Sequence, residues 1–385
     1  MSTQRFYAID NLRTGMMFIV MFGHALLPYV TVPRSYKDPI THGSFDFVAV
    51  FLYAFAMQVF FITAGFAAAA LAERRGWRGL WRNRWQRIFL PLLVAYLLLS
   101  PLTRGAYTFA KATVATNSVS GGFDVFLLGE WLRWSKLYHL WFLVSLLLFT
   151  GIAGLLIVIL RDRSAAALAG WGRGVLASRW RALWLTLLVA VTTVPAYVYG
   201  SGVGTSAFMQ LTMFVFFAFG WFLYSERALL TGLATHWRLE GVLALALVPV
   251  CTWSSRARLA APDDADYTVG LIAGLSNAAI AGLMTFALLG FFLSRLNRAT
   301  PLSIELGRAS YWVYLIHLPV VVAAGAVWTS LVSPSFVKYL LTLAIAVPLI
   351  WGSYRLLIVG TPLGSVLLGS AARKPSGDGQ RASDS

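Results

Sequence analysis

Residues 46–71 read Asp46-Phe-Val-Ala-Val-Phe-Leu-Tyr-Ala-Phe-Ala-Met-Gln58-Val-Phe-Phe-Ile-Thr-Ala-Gly65-Phe-Ala-Ala-Ala-Ala-Leu71. After the aspartate there is no charge for 25 residues. A hydrocarbon core about 30 Å thick takes roughly 20 helical residues to cross, so this stretch spans a bilayer and, with Gln58 and Gly65 inside it, tilts or runs past the membrane. The rest of the chain repeats the pattern. Of 385 residues, 58% are hydrophobic and 12% charged, and the mean hydropathy is +0.71. Soluble domains carry about 25% charged residues. An ordinary cytosolic enzyme is excluded, and so is a mainly disordered chain, because 15% of the residues are aromatic.

The fold class is therefore an all-α polytopic membrane protein. Ten spans are expected, at 13–31, 46–71, 88–110, 139–160, 183–200, 207–224, 240–253, 268–293, 310–331 and 337–359. With both termini cytoplasmic, 22 of the 31 Lys+Arg fall on the cytoplasmic side, loop after loop, as the positive-inside rule requires. That placement accounts for the net charge of +16 and argues against a nucleic-acid partner. The single Cys251 excludes an intrachain disulfide. No cleavable signal peptide is visible, and there is no convincing internal repeat of the kind common in transporters. Residues 1–370 form one membrane domain and 371–385 a disordered cytoplasmic tail. The tryptophans Trp131 and Trp134, in the long external segment 111–138, are expected on an interfacial helix.

Ionisable groups inside lipid are costly and mark function. The first span holds Asp10, Arg13 and His24. At ~100° and ~1.5 Å per residue, Arg13 and His24 differ by about 20° in azimuth and 16 Å in height. Asp10, three residues before Arg13, shares nearly that face. The stripe serves either as a helix-mouth ion pair with a hydrogen-bonded histidine above it or as a catalytic column. Arg84 and Arg87 enter the third span three residues apart, either as topology anchors or as paired forks for phosphate or carboxylate. Arg74, Arg75 and Arg78 read as anchors only. His139 opens a helix at the outer surface. His317 lies inside the ninth span with Ser310 and Tyr314 on the same side. His42 and His236 lie in loops. No His-x-x-x-His or His-x-x-Glu spacing occurs, so no metal site is expected.

Taken in order, these motifs resemble the membrane-bound acyltransferase family 3. The family pattern of Arg, Asp and Arg-x10-His corresponds here to Arg5, Asp10, Arg13 and His24. A Phe-Phe-x-x-Ser-Gly stretch corresponds to Phe60–Gly65, with Ala64 where the family usually has serine. Arg84, Arg87 and Pro91 follow, then His139-Leu-Trp-Phe-Leu143, then Ser310, Tyr314, His317 and Pro319. The resemblance runs from residue 5 to about 320. It implies a bacterial inner-membrane O-acyltransferase that moves an acyl group, succinyl or acetyl, from cytoplasmic acyl-CoA to a hydroxyl of a periplasmic or cell-envelope glucan. Acyl-CoA would be a co-substrate, with no bound cofactor. His24 would be the general base, with Arg13 orienting the donor and Asp10 holding Arg13 or the helix in register. Arg5, Arg84 and Arg87 would hold the CoA phosphates. His139, Ser310, Tyr314 and His317 would be acceptor-side or structural. The competing class is a secondary transporter of a small anion or sugar, with His24 as proton relay.

Overall fold

Backbone N–H and C=O groups find no water in hydrocarbon, so a spanning chain must satisfy them within each segment. The structure, a computed structural model, describes residues 6–134, 136–159, 162–200, 206–260, 267–331 and 333–368. Every regular element among them is helical. In chain order these are α1 (Tyr7–Leu26), α2 (Gly43–Arg84), α3 (Leu90–Thr116), α4 (Val119–Leu127), α5 (Trp141–Ile159), α6 (Asp162–Ala177) and α7 (Arg181–Val198). Then come α8 (Ala207–Ser225), α9 (Trp237–Ala260), α10 (Tyr267–Arg295), α11 (Pro301–Ala326), α12 (Ser335–Ser353) and α13 (Pro362–Leu368).

Among the described residues, eight helical segments are long and apolar enough to cross a bilayer. One of them, Gly43–Thr116, is a continuous helical path that holds two expected spans, α2 and α3. The polar stripe of α1 keeps it out of that count, although its 20 residues match the thickness. Each of the ten expected spans thus coincides with a helix. Leu98, Val158, Val191 and Val242 are exposed on their helix surfaces, as lipid-facing side chains should be. The core lies around α11, which packs on α1, α3 and α12, and α10, which packs on α7 and α9.

Several boundaries differ from the sequence expectation, each for a local reason. The seventh span is not short. As α9 it has 24 residues and continues past 253, because Arg258 in its last turn is buried and donates to the Tyr197 carbonyl at 3.0 Å. The ninth begins at Pro301 rather than 310. Thr300 Oγ1 accepts from Ser303 N and Ser303 Oγ accepts from Thr300 N, a reciprocal cap with proline at the first helical position. The helix in this segment is α4, ahead of the tryptophans and not on them. Trp131 instead stacks on Phe126 at 4.7 Å and donates its Nε1–H to the Phe126 carbonyl, while Trp134 donates to the Leu97 carbonyl. A helix, α6, occupies part of the expected loop after α5. The expected tail, 371–385, lies outside the described residues.

Two contacts set the frame. The first is the crossing of α2 and α8. A Cβ on Gly65 would lie 1.9 Å from the Phe217 carbonyl oxygen, and one on Gly220 would lie 2.0 Å from that of Ile62. The two backbones touch, and only glycine on both sides permits it. The second is a wholly buried ion pair. Lys338 of α12 donates to both carboxylate oxygens of Asp38, at 2.9 and 3.1 Å, and to the Thr329 carbonyl. Asp38 also accepts from Ile40 N, so the loop after α1 is fastened to the last span.

The crossing makes a direct prediction. Gly65→Ala must push α2 off α8 and should lower stability by roughly 1–3 kcal/mol. Gly174→Ala, on the open face of α6 with nothing within 4 Å of the added carbon, should not. Thermal unfolding of the purified variants in detergent compares the two, and equal midpoints would show that the seam is not tight.

Candidate active site

A cavity of about 1530 Å³ opens at the end of the bundle that carries most of the arginines. It exceeds the usual range for small-ligand sites, roughly 300–1,000 Å³, and so admits a large, extended molecule. Six arginines line it: Arg13, Arg74, Arg84, Arg87, Arg227 and Arg308. Guanidinium groups at that density make a site for a multiply charged anion, because each presents a fork of donors to phosphate oxygens. Asp10 and Glu73 are also in the wall. Glu73 is engaged by Arg227 at 3.1 Å and by the Tyr224 hydroxyl.

Local backbone features aim these side chains. Pro91 lacks the N–H that would bond the Arg87 carbonyl, and the ladder widens into a π-turn over Trp85–Phe89 just before it. Arg84, before that turn, and Arg87, within it, both reach the cavity, and Arg84 Nε donates to Thr150 Oγ1. Gly76 breaks α2 with φ 64° and ψ 179°, a conformation essentially reserved for glycine. The first turn of α1 is tied to the segment before α11. Asn297 Oδ1 accepts from Ala8 N, and Asn11 Nδ2 donates to the Leu296 and Arg298 carbonyls. That tie fixes where Asp10 and Arg13 meet the cavity.

The cavity's inner wall includes Met17, Phe60, Phe142 and Tyr314. Behind it three histidines from distant parts of the chain converge. The His24 and His317 rings are 5.0 Å apart and those of His139 and His317 5.1 Å. Carbonyl oxygens only accept, so their contacts assign the ring protons. His24 Nδ1 faces the Val20 carbonyl at 2.9 Å and carries hydrogen. His317 Nδ1 faces the Tyr314 and Val313 carbonyls and carries hydrogen. His139 Nε2 faces the Leu315 carbonyl at 3.0 Å and carries hydrogen. His317 Nε2, left bare, then accepts from His24 Nδ1 at 3.3 Å. In this neutral arrangement the remaining nitrogen of His24, Nε2, is an acceptor with its lone pair available.

The Leu315 carbonyl is open to His139 because of Pro319. The residue four positions on should supply its helical N–H, and proline has none. His139 is held from the other side as well, since the Tyr314 hydroxyl donates to its backbone carbonyl at 2.8 Å. Tyr138, immediately before it, adopts the left-handed φ of 47° that turns the chain into α5. Such a conformation costs on the order of 1–3 kcal/mol at a bulky residue and persists where surrounding contacts enforce it.

The motif residues therefore fall into two groups. Asp10, Arg13, Arg84, Arg87, Ser310 and Tyr314 reach the cavity. His24, His139 and His317 form the cluster behind it, with Tyr314 touching both. His139 is buried in the bundle. Arg74 is a cavity residue and not an anchor alone, whereas Arg75 and Arg78 are absent from the lining. Arg227 and Arg308 were not anticipated as site residues. Ala64, at the departure from the serine pattern, lies in the cavity wall beside Thr63. Arg5 lies outside the described residues.

A sequence profile described as an acyltransferase domain matches residues 6–355. The chain is 26% identical over 149 residues to the glucans biosynthesis protein C of Salmonella paratyphi B, which is 39% of this chain and 38% of that protein. The proteins of the same name from Salmonella heidelberg and Salmonella enteritidis PT4 align with the same figures. The chain thus spans well under half the length of the curated relatives it matches. No solved structure matches it.

The proline and the histidine should be energetically coupled. His139→Phe leaves the Leu315 carbonyl without a donor and should destabilise by about 1–3 kcal/mol. In the double variant with Pro319→Ala, the new Ala N–H closes the helix onto that carbonyl and should recover part of the loss. A double-mutant cycle on unfolding midpoints reads the coupling, and strict additivity would separate the two residues.

Proposed function

We propose that this chain, which belongs to the membrane acyltransferase family whose domain it matches over residues 6–355, transfers an acyl group from a CoA thioester to a carbohydrate hydroxyl across the thickness of the membrane. The observation that carries the reading is the pairing of a six-arginine cavity with a histidine cluster directly behind its inner wall. The arginine end faces the cytoplasm on the positive-inside rule. There the cationic wall, with Arg84 and Arg87 joined by Arg74, Arg227 and Arg308, holds the phosphates of the donor. The acyl group extends inward past Met17, two helical turns before His24 on α1. The relatives named for glucan biosynthesis support a glucan as the acceptor, approaching from the other side of a bacterial inner membrane, with succinyl or acetyl as the group transferred.

The chemistry follows from the proton assignment. A sugar hydroxyl is a weak nucleophile near neutral pH and needs a base at the reaction centre. Its proton passes to His24 Nε2 while its oxygen bonds to the thioester carbonyl carbon. The C–S bond then breaks, and the departing thiolate takes the proton back, giving ester and free CoA thiol. As His24 becomes imidazolium, its Nδ1–H bond to His317 Nε2 becomes charge-assisted and therefore stronger. His317 is in this way a positioning residue for the base and not only a packing one. Arg13, at the cavity end of the same helix, orients the donor, and Asp10 steadies that end of α1.

Purified protein in detergent or nanodiscs, assayed for thiol release with a glucan acceptor, tests this. His24→Gln should lower kcat by about 10²–10⁴ while leaving donor affinity intact. His317→Gln should give a smaller loss, read in kcat and not in donor KM. Arg84→Ala and Arg308→Ala should each weaken donor binding by about tenfold to a hundredfold. Near-normal turnover by His24→Gln would remove it from the mechanism.

A further inference from the structure

The arginine cavity accounts for one side of the histidine cluster, and another cation stands apart from it. Arg34 lies in the loop between α1 and α2 and does not line the cavity. Its Nε is buried and has no hydrogen-bond partner. Among the described residues no carboxylate pairs with it. Its guanidinium lies over the ring of Tyr53, 5.7 Å from the centroid. Arg34 follows the last turn of α1, where His24 stands. Tyr107 stacks on Tyr138 at 5.8 Å, and Tyr138 directly precedes His139 of the cluster. An aromatic-walled cation thus stands near the catalytic imidazole without an anion.

The loop's other charges are all committed. Asp38 is matched by Lys338, and Asp46, in the first turn of α2 beside the loop, accepts from Thr31 N and sits 3.5 Å from Arg256. Lys37 donates to the Thr31 carbonyl. The loop is therefore built around partners for every described charge except Arg34. A buried guanidinium nitrogen without a partner costs free energy that a bound anion would return.

We propose that Arg34 binds a carboxylate at the reaction centre, namely the far carboxylate of a dicarboxylic acyl group whose thioester carbonyl is at His24. This rests on the acyl-transfer reading above. An acyl group entering from the arginine cavity and passing His24 would present its distal end on the side where Arg34 waits. A planar guanidinium matches a carboxylate with two parallel hydrogen bonds, and the Tyr53 face leaves that fork free at its edge. A monocarboxylic acyl group, such as acetyl, has nothing to offer it. Arg34 is then the residue that makes the enzyme selective for a dicarboxylic donor. The same chemistry could be supplied by an acidic substituent on the acceptor, and the two sources separate experimentally.

The experiment compares kcat/KM for succinyl-CoA and acetyl-CoA in wild type, Arg34→Gln and Arg34→Lys, using a neutral oligoglucoside acceptor. Arg34→Gln should lower the succinyl-to-acetyl ratio by about tenfold to a hundredfold, mainly through KM for succinyl-CoA. Arg34→Lys, which keeps the charge and loses the fork, should fall between. The second arm repeats the comparison with carboxylated against neutral oligosaccharides. A fall in that ratio alone places the carboxylate on the acceptor and keeps Arg34 as its site. Both ratios unchanged, or equal losses with every donor and acceptor, would overturn the proposal. Should wild type use neither thioester, the acyl-transfer reading fails separately, and titration with free succinate decides Arg34: affinity at least tenfold weaker in Arg34→Gln sustains the carboxylate site, and equal affinity ends it.

Discussion

A carbonyl that has lost its donor inside a bilayer must find another, and the Leu315 carbonyl is the one on which the histidine cluster depends. Pro319 removes the N–H that would have closed the helix, and His139 takes its place from another segment. That single exchange draws the start of α5 against α11 and brings His139 beside His317. It also makes the left-handed turn at Tyr138 worth keeping. His317 then stands where its bare nitrogen can receive the His24 proton. Removing the proline would restore a regular helix and leave His139 without its acceptor.

Much of the fold could be read from hydropathy, because lipid tests each segment separately. Ten apolar runs became ten helices, within limits set by local chemistry. The errors came where a polar residue belonged to a helix for tertiary reasons. The expected seventh span stopped short of Arg256 and Arg258, although the bond of Arg258 to the Tyr197 carbonyl places it inside α9. The Thr300-Pro301-x-Ser303 cap was a legible start signal that hydropathy alone passed over. Trp131 and Trp134 suggested a helix by composition, but their N–H groups serve as ties to carbonyls in neighbouring segments.

The site was legible to a different degree. Residues spaced along one helix, Asp10 and Arg13, could be placed together from the helical repeat, and both meet the cavity. His24 shares their azimuth but ends behind the cavity wall, because α11 supplies His317 as its neighbour. Arg227 and Arg308 belong to the cavity only through the packing of their segments around α1 and α2, and no spacing within the chain announces it. Arg74 was hidden by its two neighbours, which bear the same charge on adjacent faces and do not line the cavity. For Arg34 no sequence pattern stood out. Its interest comes from what surrounds it, namely the ring of Tyr53 and charges already committed to other partners.

The buried pair of Lys338 and Asp38 has a bearing on how the protein is made. Asp38 enters the membrane region with the first hairpin, hundreds of residues before Lys338 emerges from the ribosome. Until α12 arrives, the carboxylate must keep water or a proton, and the first loop cannot settle into its final position. The last transmembrane helix is thus the keystone of the first loop, and with it of the surroundings of Arg34. A chain cut short before α12 would reach the membrane with its arginine cavity largely assembled and the first loop, beyond the histidine cluster, still unfastened.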